Sequence, residues 1–527
     1  MSQVSGNLQQ LSSFARRAAR ANDWATVNAC ARKILIQDKK SPEGYFLSGL
    51  VEKAAGRSGK AIKAFAKVLE LETGRYDAAI ELANQYVALL RHDEVFSILK
   101  RYEPRLANSP LYLDLAANIY TRLGLHARAW PLYIQANNLQ PDIDMFQANL
   151  AACAVYMGKL EEAKNIYINL LERHPNHQRN HYQLSQLERA KDSSHVEQMQ
   201  EILDSTRLPP EKNIFMYYAL GKELEDLQRW PEAFHYFKLA GDTITRMSGY
   251  DVSTDIELID RIIDVCDAGW LASGAATSQV KKSQKTPIFI VGLPRTGTTL
   301  TERIVSSHSQ VESADETFFM QIVIRRVSGV QGMESMSPAI IAAAAKKNIG
   351  LIANGYLDAV DYRLADRPYF IDKLPENFLY LGFIAKAYPQ ARIIHLKRNP
   401  MDSCFAMFKQ SFFKFAYSLE SLAKYFIAYD RLCRHWKNVL KDRVIEVEYE
   451  SLVSDPEGQI RGLLDKLGLD FEQACLDFDQ NKAPSATASA VQVREKAHTR
   501  SISKWKNFAD ELQPLKDHLT GAGISVD

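Results

Sequence analysis

The feature that most limits what this chain can fold into is a 34-residue recurrence in its first half. Gly124, Ala129, Tyr133 and Pro141 return as Gly158, Ala163, Tyr167 and Pro175, each 34 residues further on. Two steps back from Ala129 and Tyr133 reach Ala61 and Phe65, with Gly56 five residues before Ala61. The intervening step falls on Leu90, Val95 and Leu99, an apolar but degenerate copy. Ala233 and Phe237 repeat the small/aromatic pair beyond a weaker copy around Val196. A period of this length marks stacked helical hairpins, none of which can bury its apolar face alone. The small residue lets two helices approach, the glycine allows the turn between them, and the proline ends the second helix.

Residues from about Leu8 to about Leu271 therefore resemble a tetratricopeptide solenoid, and residues 1–271 are read as one all-α array. The concave face of such an array binds a peptide or protein segment; the competing reading is a scaffold for the second domain, or a surface for homodimerisation. Ala272 to Gln279 is small and polar, and Lys281 to Lys285 is basic, so 272–285 is read as a linker and 286–527 as a second domain. At 527 residues the chain is too long for one ordinary core. A net charge of +2 gives no general pull toward nucleic acid or a membrane, so any anion site must be local. The six cysteines are scattered and show no C-x-x-C pair, which suits reduced thiols in a cytoplasmic protein. The polar stretch Met1 to Asn22 does not read as a secretory signal, and no apolar run reaches the length of a membrane span.

The chemistry lies in the second half. Pro287 to Val291 is an apolar run that suits a buried parallel strand. It leads through Gly292-Leu293-Pro294-Arg295-Thr296-Gly297 into a helix that opens at Thr298-Thr299. Amides at such a turn and helix start have no partner within the helix and can hold a phosphate. The spacing is nearly that of the nucleotide P-loop, but Thr298 stands where the P-loop has lysine, and the nearest cation is Arg295. Tyr369 to Phe378 is read as a strand running into a loop that carries Lys373, and further strands are read at Ala391–Lys397 and Val444–Tyr449, alternating with helices, which implies an α/β domain with a parallel sheet. In such sheets ligands sit beyond the carboxyl ends of the strands. Arg295, Lys373 and Arg398 all fall there.

Pro294-Arg295-Thr296-Gly297-Thr298-Thr299, Asp315-Glu316-Thr317, Asp372-Lys373-x-Pro375 and Arg398-Asn399-Pro400-x-Asp402, in that order, resemble the sulfotransferase family. The similarity is to its tyrosylprotein sulfotransferase-like branch, including members with tetratricopeptide repeats in front. The resemblance implies the donor 3′-phosphoadenosine 5′-phosphosulfate, bound at its 5′ end by Arg295, Thr296, Gly297, Thr298 and Thr299 and needing no metal. It implies Glu316 as general base, with Lys373 and Arg295 stabilising charge at the transferring group. Asp315 is the rival base, but on an alternating backbone it would point away. Arg398 matches the arginine for the 3′-phosphate. The family's serine eight residues later is Ala406 here, and Ser403, one turn earlier, is the substitute. Tyr449 and Lys504 match positions near the nucleotide; Arg494 and Arg500 are looser candidates, and His395 has little claim to a role. The implied acceptor is a hydroxyl, with tyrosine in a protein or peptide favoured. A carbohydrate or small alcohol, a nucleotide kinase and a non-catalytic tetratricopeptide adaptor are the alternatives.

Overall fold

The computed structural model describes residues 2–273, 285–331, 336–487 and 489–526. The chain packs as two compact units, residues 1–154 and 155–527. The boundary falls within the helix Asp144–Tyr156. Most of the stretch read as a linker, residues 274–284, lies outside the described residues.

In the first unit the helices follow the 34-residue period. Ala61, Val95 and Ala129 are fully buried, as are Phe65, Leu99 and Tyr133 four residues beyond each. The approach is close: a β-carbon on Gly49 would lie 2.5 Å from the ring of Phe65. The turns between paired helices use the left-handed region, with φ of +71° at Gly56 and +75° at Gly124. In the degenerate copy Leu90 takes the same conformation, φ +55°, and one period before Gly56 Asn22 does so at +57°. The period thus fixes the backbone of the turn even where glycine is missing.

The second unit begins with more helices of the same kind. Ala163, Tyr167, Ala233 and Phe237 are buried, and Val196 is the fully buried anchor of the weaker copy, on the helix Ser194–Thr206. After them comes an α/β region with five parallel strands: β1 (Thr286–Gly292), β2 (Val311–Ser313), β3 (Tyr369–Lys373), β4 (Arg392–Lys397) and β5 (Val444–Glu448). Their order is β2-β3-β1-β4-β5, with Ile290 beside Lys373 and Gly292 beside Leu396. β2 was not expected as a strand. It is three residues long, and at that length side-chain alternation leaves no sequence signature. The buried face joins Ile288, Ile290, Ile371, Ile394 and Leu396 to Leu463, Leu464 and Leu467. Because β1 sits in the middle, chain connections leave it on both sides, and a crevice opens beyond its carboxyl end. Among the described residues no helix is long and apolar enough to cross a membrane.

Substituting Gly124→Ala places a side chain in a left-handed turn, which costs about 1 kcal/mol. A lowered urea midpoint is the expected result; an unchanged midpoint would show that the turn can relax.

Candidate active site

Gly292, at the carboxyl end of β1, has φ +153°, and a β-carbon there would lie 2.6 Å from the carbonyl oxygen of Leu396. This close packing against β4 starts the turn. Arg295 then takes a left-handed conformation at φ +67°, and Gly297 one at +99°. Gly297 opens the helix Thr298–Ser306 without a side-chain cap. A β-carbon on Gly297 would meet the ring of Tyr449 at 2.6 Å. The Thr296 hydroxyl donates to the Leu293 carbonyl at 2.7 Å and so closes the loop on itself. What Thr296 offers outward is its backbone. Thr298 and Thr299 are buried, with the Thr299 hydroxyl 3.5 Å from that of Thr487. The Arg295 guanidinium donates to Ser489 Oγ and, at 2.9 Å, to Gln492 Oε1. Burial and the neighbouring Arg398 pull Arg295 down to about 10.

Lys373, the last residue of β3, is fully buried. Its ammonium pairs with Glu316 and lies 3.6 Å from Glu302, a residue of the helix after the loop. Burial works against its charge, but Glu302 and Glu316 outweigh burial and the net shift is upward. Lys373 is therefore held as an ammonium. Glu302 also accepts from the Ser313 hydroxyl at the end of β2. Glu316 is the more exposed of the two carboxylates, 32% against 8%. It faces the opening while Glu302 lies behind.

The neighbours of these residues separate their roles. Asp315 does not follow strand alternation, as the sequence suggested it would. Its φ is +58°, which breaks the extended pattern and turns it inward. Burial and then Glu302 push its carboxyl up to about 7. Asp372 does not pair with Lys373. It accepts from Thr317 at 2.6 Å, Tyr356 at 2.7 Å and Asn377 at 3.2 Å, and burial raises it to about 7.

A second group lies beyond β4. Arg398 donates to the Arg295 carbonyl at 2.7 Å and the Ser501 carbonyl at 2.6 Å, and stacks 4.6 Å over the Tyr449 ring. Its Nε is buried with no partner. Asn399 caps the helix Pro400–Phe408. Within that helix Asp402 accepts from the amides of Ser503 and Trp505, which pins the late basic segment. Ser403 is buried, and its hydroxyl points back to the Arg398 carbonyl at 3.5 Å. The Lys504 ammonium sits 2.9 Å from Glu225, on the repeat helix Ile214–Asp226, and Lys409 reaches the same carboxylate at 2.7 Å. Arg494 donates to the Tyr156 carbonyl, and Arg500 pairs with Glu495 on the surface. His395 hydrogen-bonds Tyr429 at 2.6 Å, and burial lowers it to about 4, so it is a neutral core residue.

Sequence reasoning missed Glu302, Lys409, Glu225, Ser489 and Gln492. Only Glu302 had a local signal, a carboxylate one turn into the helix that begins at the loop. The others reach the site through contacts between residues more than 180 positions apart.

Residues 287–473 match the model of the sulfotransferase family. Over that stretch the chain is similar to the sulfotransferases. An uncharacterized protein of Aquifex aeolicus is 29% identical over 376 residues, 69% of this chain and 48% of that protein. A protein-tyrosine sulfotransferase of Drosophila melanogaster is 24% identical over 231 residues, 41% of this chain and 46% of its own length. The chain spans about half the length of these curated relatives. Among solved structures, the sulfotransferase domain from the Synechococcus PCC 7002 olefin synthase is 21% identical and covers 44% of this chain and 97% of that domain, at a TM-score of 0.30, too low to carry an inference.

The buried Asp372 gives a test with a definite sign. Its folded value of about 7 lies above the ordinary 3.8, so the folded chain holds this proton more tightly than the unfolded one. The stability it contributes is fullest below pH about 4 and is lost as pH rises toward about 7. Asp372→Asn removes that dependence, and urea unfolding across this window should show a flatter slope than the wild type. An identical slope would show that Asp372 stays ionised.

Proposed function

We propose that the chain transfers a sulfuryl group from 3′-phosphoadenosine 5′-phosphosulfate to a hydroxyl, with tyrosine in a protein or peptide as the favoured acceptor. The observation that carries this reading is the buried Lys373 ammonium paired with Glu316 at the carboxyl end of the sheet, in the crevice beyond β1. The residues present fit an anion at each end of the donor. One end has the loop amides at an uncapped helix start, with Arg295 beside them. The other has Arg398, with a buried Nε lacking a partner. Gly297 keeps the space beside Tyr449 that a side chain would fill.

When bound, the donor supplies the sulfuryl group and a phosphate leaving group. Glu316 accepts the proton of the acceptor hydroxyl as that oxygen bonds to sulfur and the bond between sulfur and the 5′-phosphate oxygen breaks. Taking the proton cancels the Glu316 charge and releases Lys373 from its partner. Lys373 and Arg295 then face the charge that develops on the leaving phosphate. Glu302, 3.6 Å from the ammonium, favours the charged form of Lys373 through the exchange. Asp315, raised to about 7 by burial and then by Glu302, carries only part of a full negative charge near neutral pH. Residues 1–271 serve as one repeat array, 272–285 as its connection and 286–527 as the transferase region. The array is the natural holder of a peptide acceptor. The six unpaired thiols support a cytosolic setting.

Calorimetry should show adenosine 3′,5′-bisphosphate binding in the absence of magnesium. Magnesium-dependent binding of ATP in its place would sink the proposal. Glu316→Gln should keep the nucleotide and slow sulfuryl transfer to a tyrosine peptide by about 10²–10⁴-fold. Full turnover in that variant would place the base elsewhere.

A further inference from the structure

One backbone carbonyl of the repeat array holds both ends of the segment that faces the loop after β1. Tyr156, the last residue of the helix Asp144–Tyr156, accepts at its carbonyl from the Ser485 amide at 3.0 Å and from Arg494 Nη2 at 3.2 Å. Between these two anchors lie Thr487, Ser489 and Gln492, the residues that meet Thr299 and Arg295. Hydrogen bonds within the segment make its end compact. The Val493 amide donates to the Ser489 carbonyl at 3.1 Å, and the Glu495 amide to the Gln492 carbonyl at 3.2 Å. A displacement of Arg494 is therefore passed to Ser489 and Gln492. The upstream end is fixed separately, because Arg303, on the helix after the loop, donates to the carbonyls of Asn481 and Ala483.

Arg295 and Arg494 are both held by neutral acceptors. Among the described residues no carboxylate comes within ion-pair distance of either guanidinium. A hydroxyl and a side-chain amide oxygen aim the Arg295 charge without cancelling it, so the charge stays available to an anion. Arg494 sits in a poor place for a cation. Burial, and then Arg303, disfavour its charge, and its Nε is buried with no partner. A guanidinium kept there costs stability, so packing alone does not account for it. Gly158 makes the place: its φ is +76°, and a β-carbon on it would lie 2.3 Å from Cζ of Arg494. Resting on the reading that the chain binds the adenosine donor, we propose that Arg494, seated on the Tyr156 carbonyl and Gly158, is a positioning residue for Arg295, and that this repeat turn thereby sets the grip of the loop on the donor's 5′ end.

The test sets adenosine 3′,5′-bisphosphate against adenosine 3′-monophosphate, which lacks the group that Arg295 faces, by calorimetry on the full chain. Arg295→Met should weaken the bisphosphate by about 10- to 100-fold, the worth of a hydrogen bond to a charged group. Arg494→Met should weaken it by part of that, about 3- to 10-fold, and leave the 3′-monophosphate unchanged. Gly158→Ala, which displaces the guanidinium from the other side, should do the same. Gly56→Ala is the control. Its φ is +71° and a β-carbon there meets nothing within 4 Å, so it carries the strain of the turn alone and should leave both affinities as they are. In the Arg295→Met background Arg494→Met should add no further loss. An equal loss for both nucleotides overturns the positioning role by showing a general structural one. So does the absence of any loss in the Arg494 and Gly158 variants, a loss from Gly56→Ala equal to that from Gly158→Ala, or a loss from Arg494→Met that persists without Arg295. A wild type that binds neither nucleotide overturns the donor reading itself and the positioning role with it. A wild type that binds the bisphosphate, with Arg494 irrelevant to it, overturns the positioning role alone.

Discussion

The active-site region depends on one buried ammonium. Lys373 has no water to solvate it, so its charge survives only because Glu302 and Glu316 stand on two sides. Each partner is placed by a different element: Glu302 by the helix after the loop, Glu316 by the segment after β2. The loop, two strand ends and the helix must therefore all be in register for the lysine to remain charged. Removing one carboxylate leaves a lone pair, while removing the lysine leaves two buried negative charges facing each other, the costlier fault. Burial, and then Glu302, raise the Asp315 carboxyl to about 7.

Much of this was legible in the sequence because it rests on short-range rules. The 34-residue period places the buried Ala/aromatic pairs and also the left-handed turns, including Leu90, whose side chain alone gives no hint of such a turn. Four of the five strands appear as apolar runs, and Arg295 and Arg398 fall beyond strand ends, while Lys373 is the last residue of its strand. What stayed hidden has a common cause. β2 is too short for periodicity. The inward turn of Asp315 comes from a single left-handed residue. Glu225 and Lys409 are unremarkable charges until a contact across 184 residues brings them together.

The contacts of Glu225 and Tyr156 also change how the repeats are understood. Later helices of the array and the α/β region pack within the same compact unit, residues 155–527. The segment that holds Arg295 through Ser489 and Gln492 is tied to the repeat turn through Ser485 and Arg494, both donating to the Tyr156 carbonyl.

Gly158 shows what this does to the modularity expected of a repeat protein. Like Gly124 it occupies a left-handed turn, at φ +76°. Unlike an ordinary turn glycine it also leaves room for a guanidinium: a β-carbon there would lie 2.3 Å from Cζ of Arg494. The turn has acquired a second duty, as a socket. Interchangeable repeats can be shuffled, duplicated or replaced by a consensus because each needs only its neighbours. The repeat that contains Gly158 has given up that freedom, because its turn must also receive Arg494.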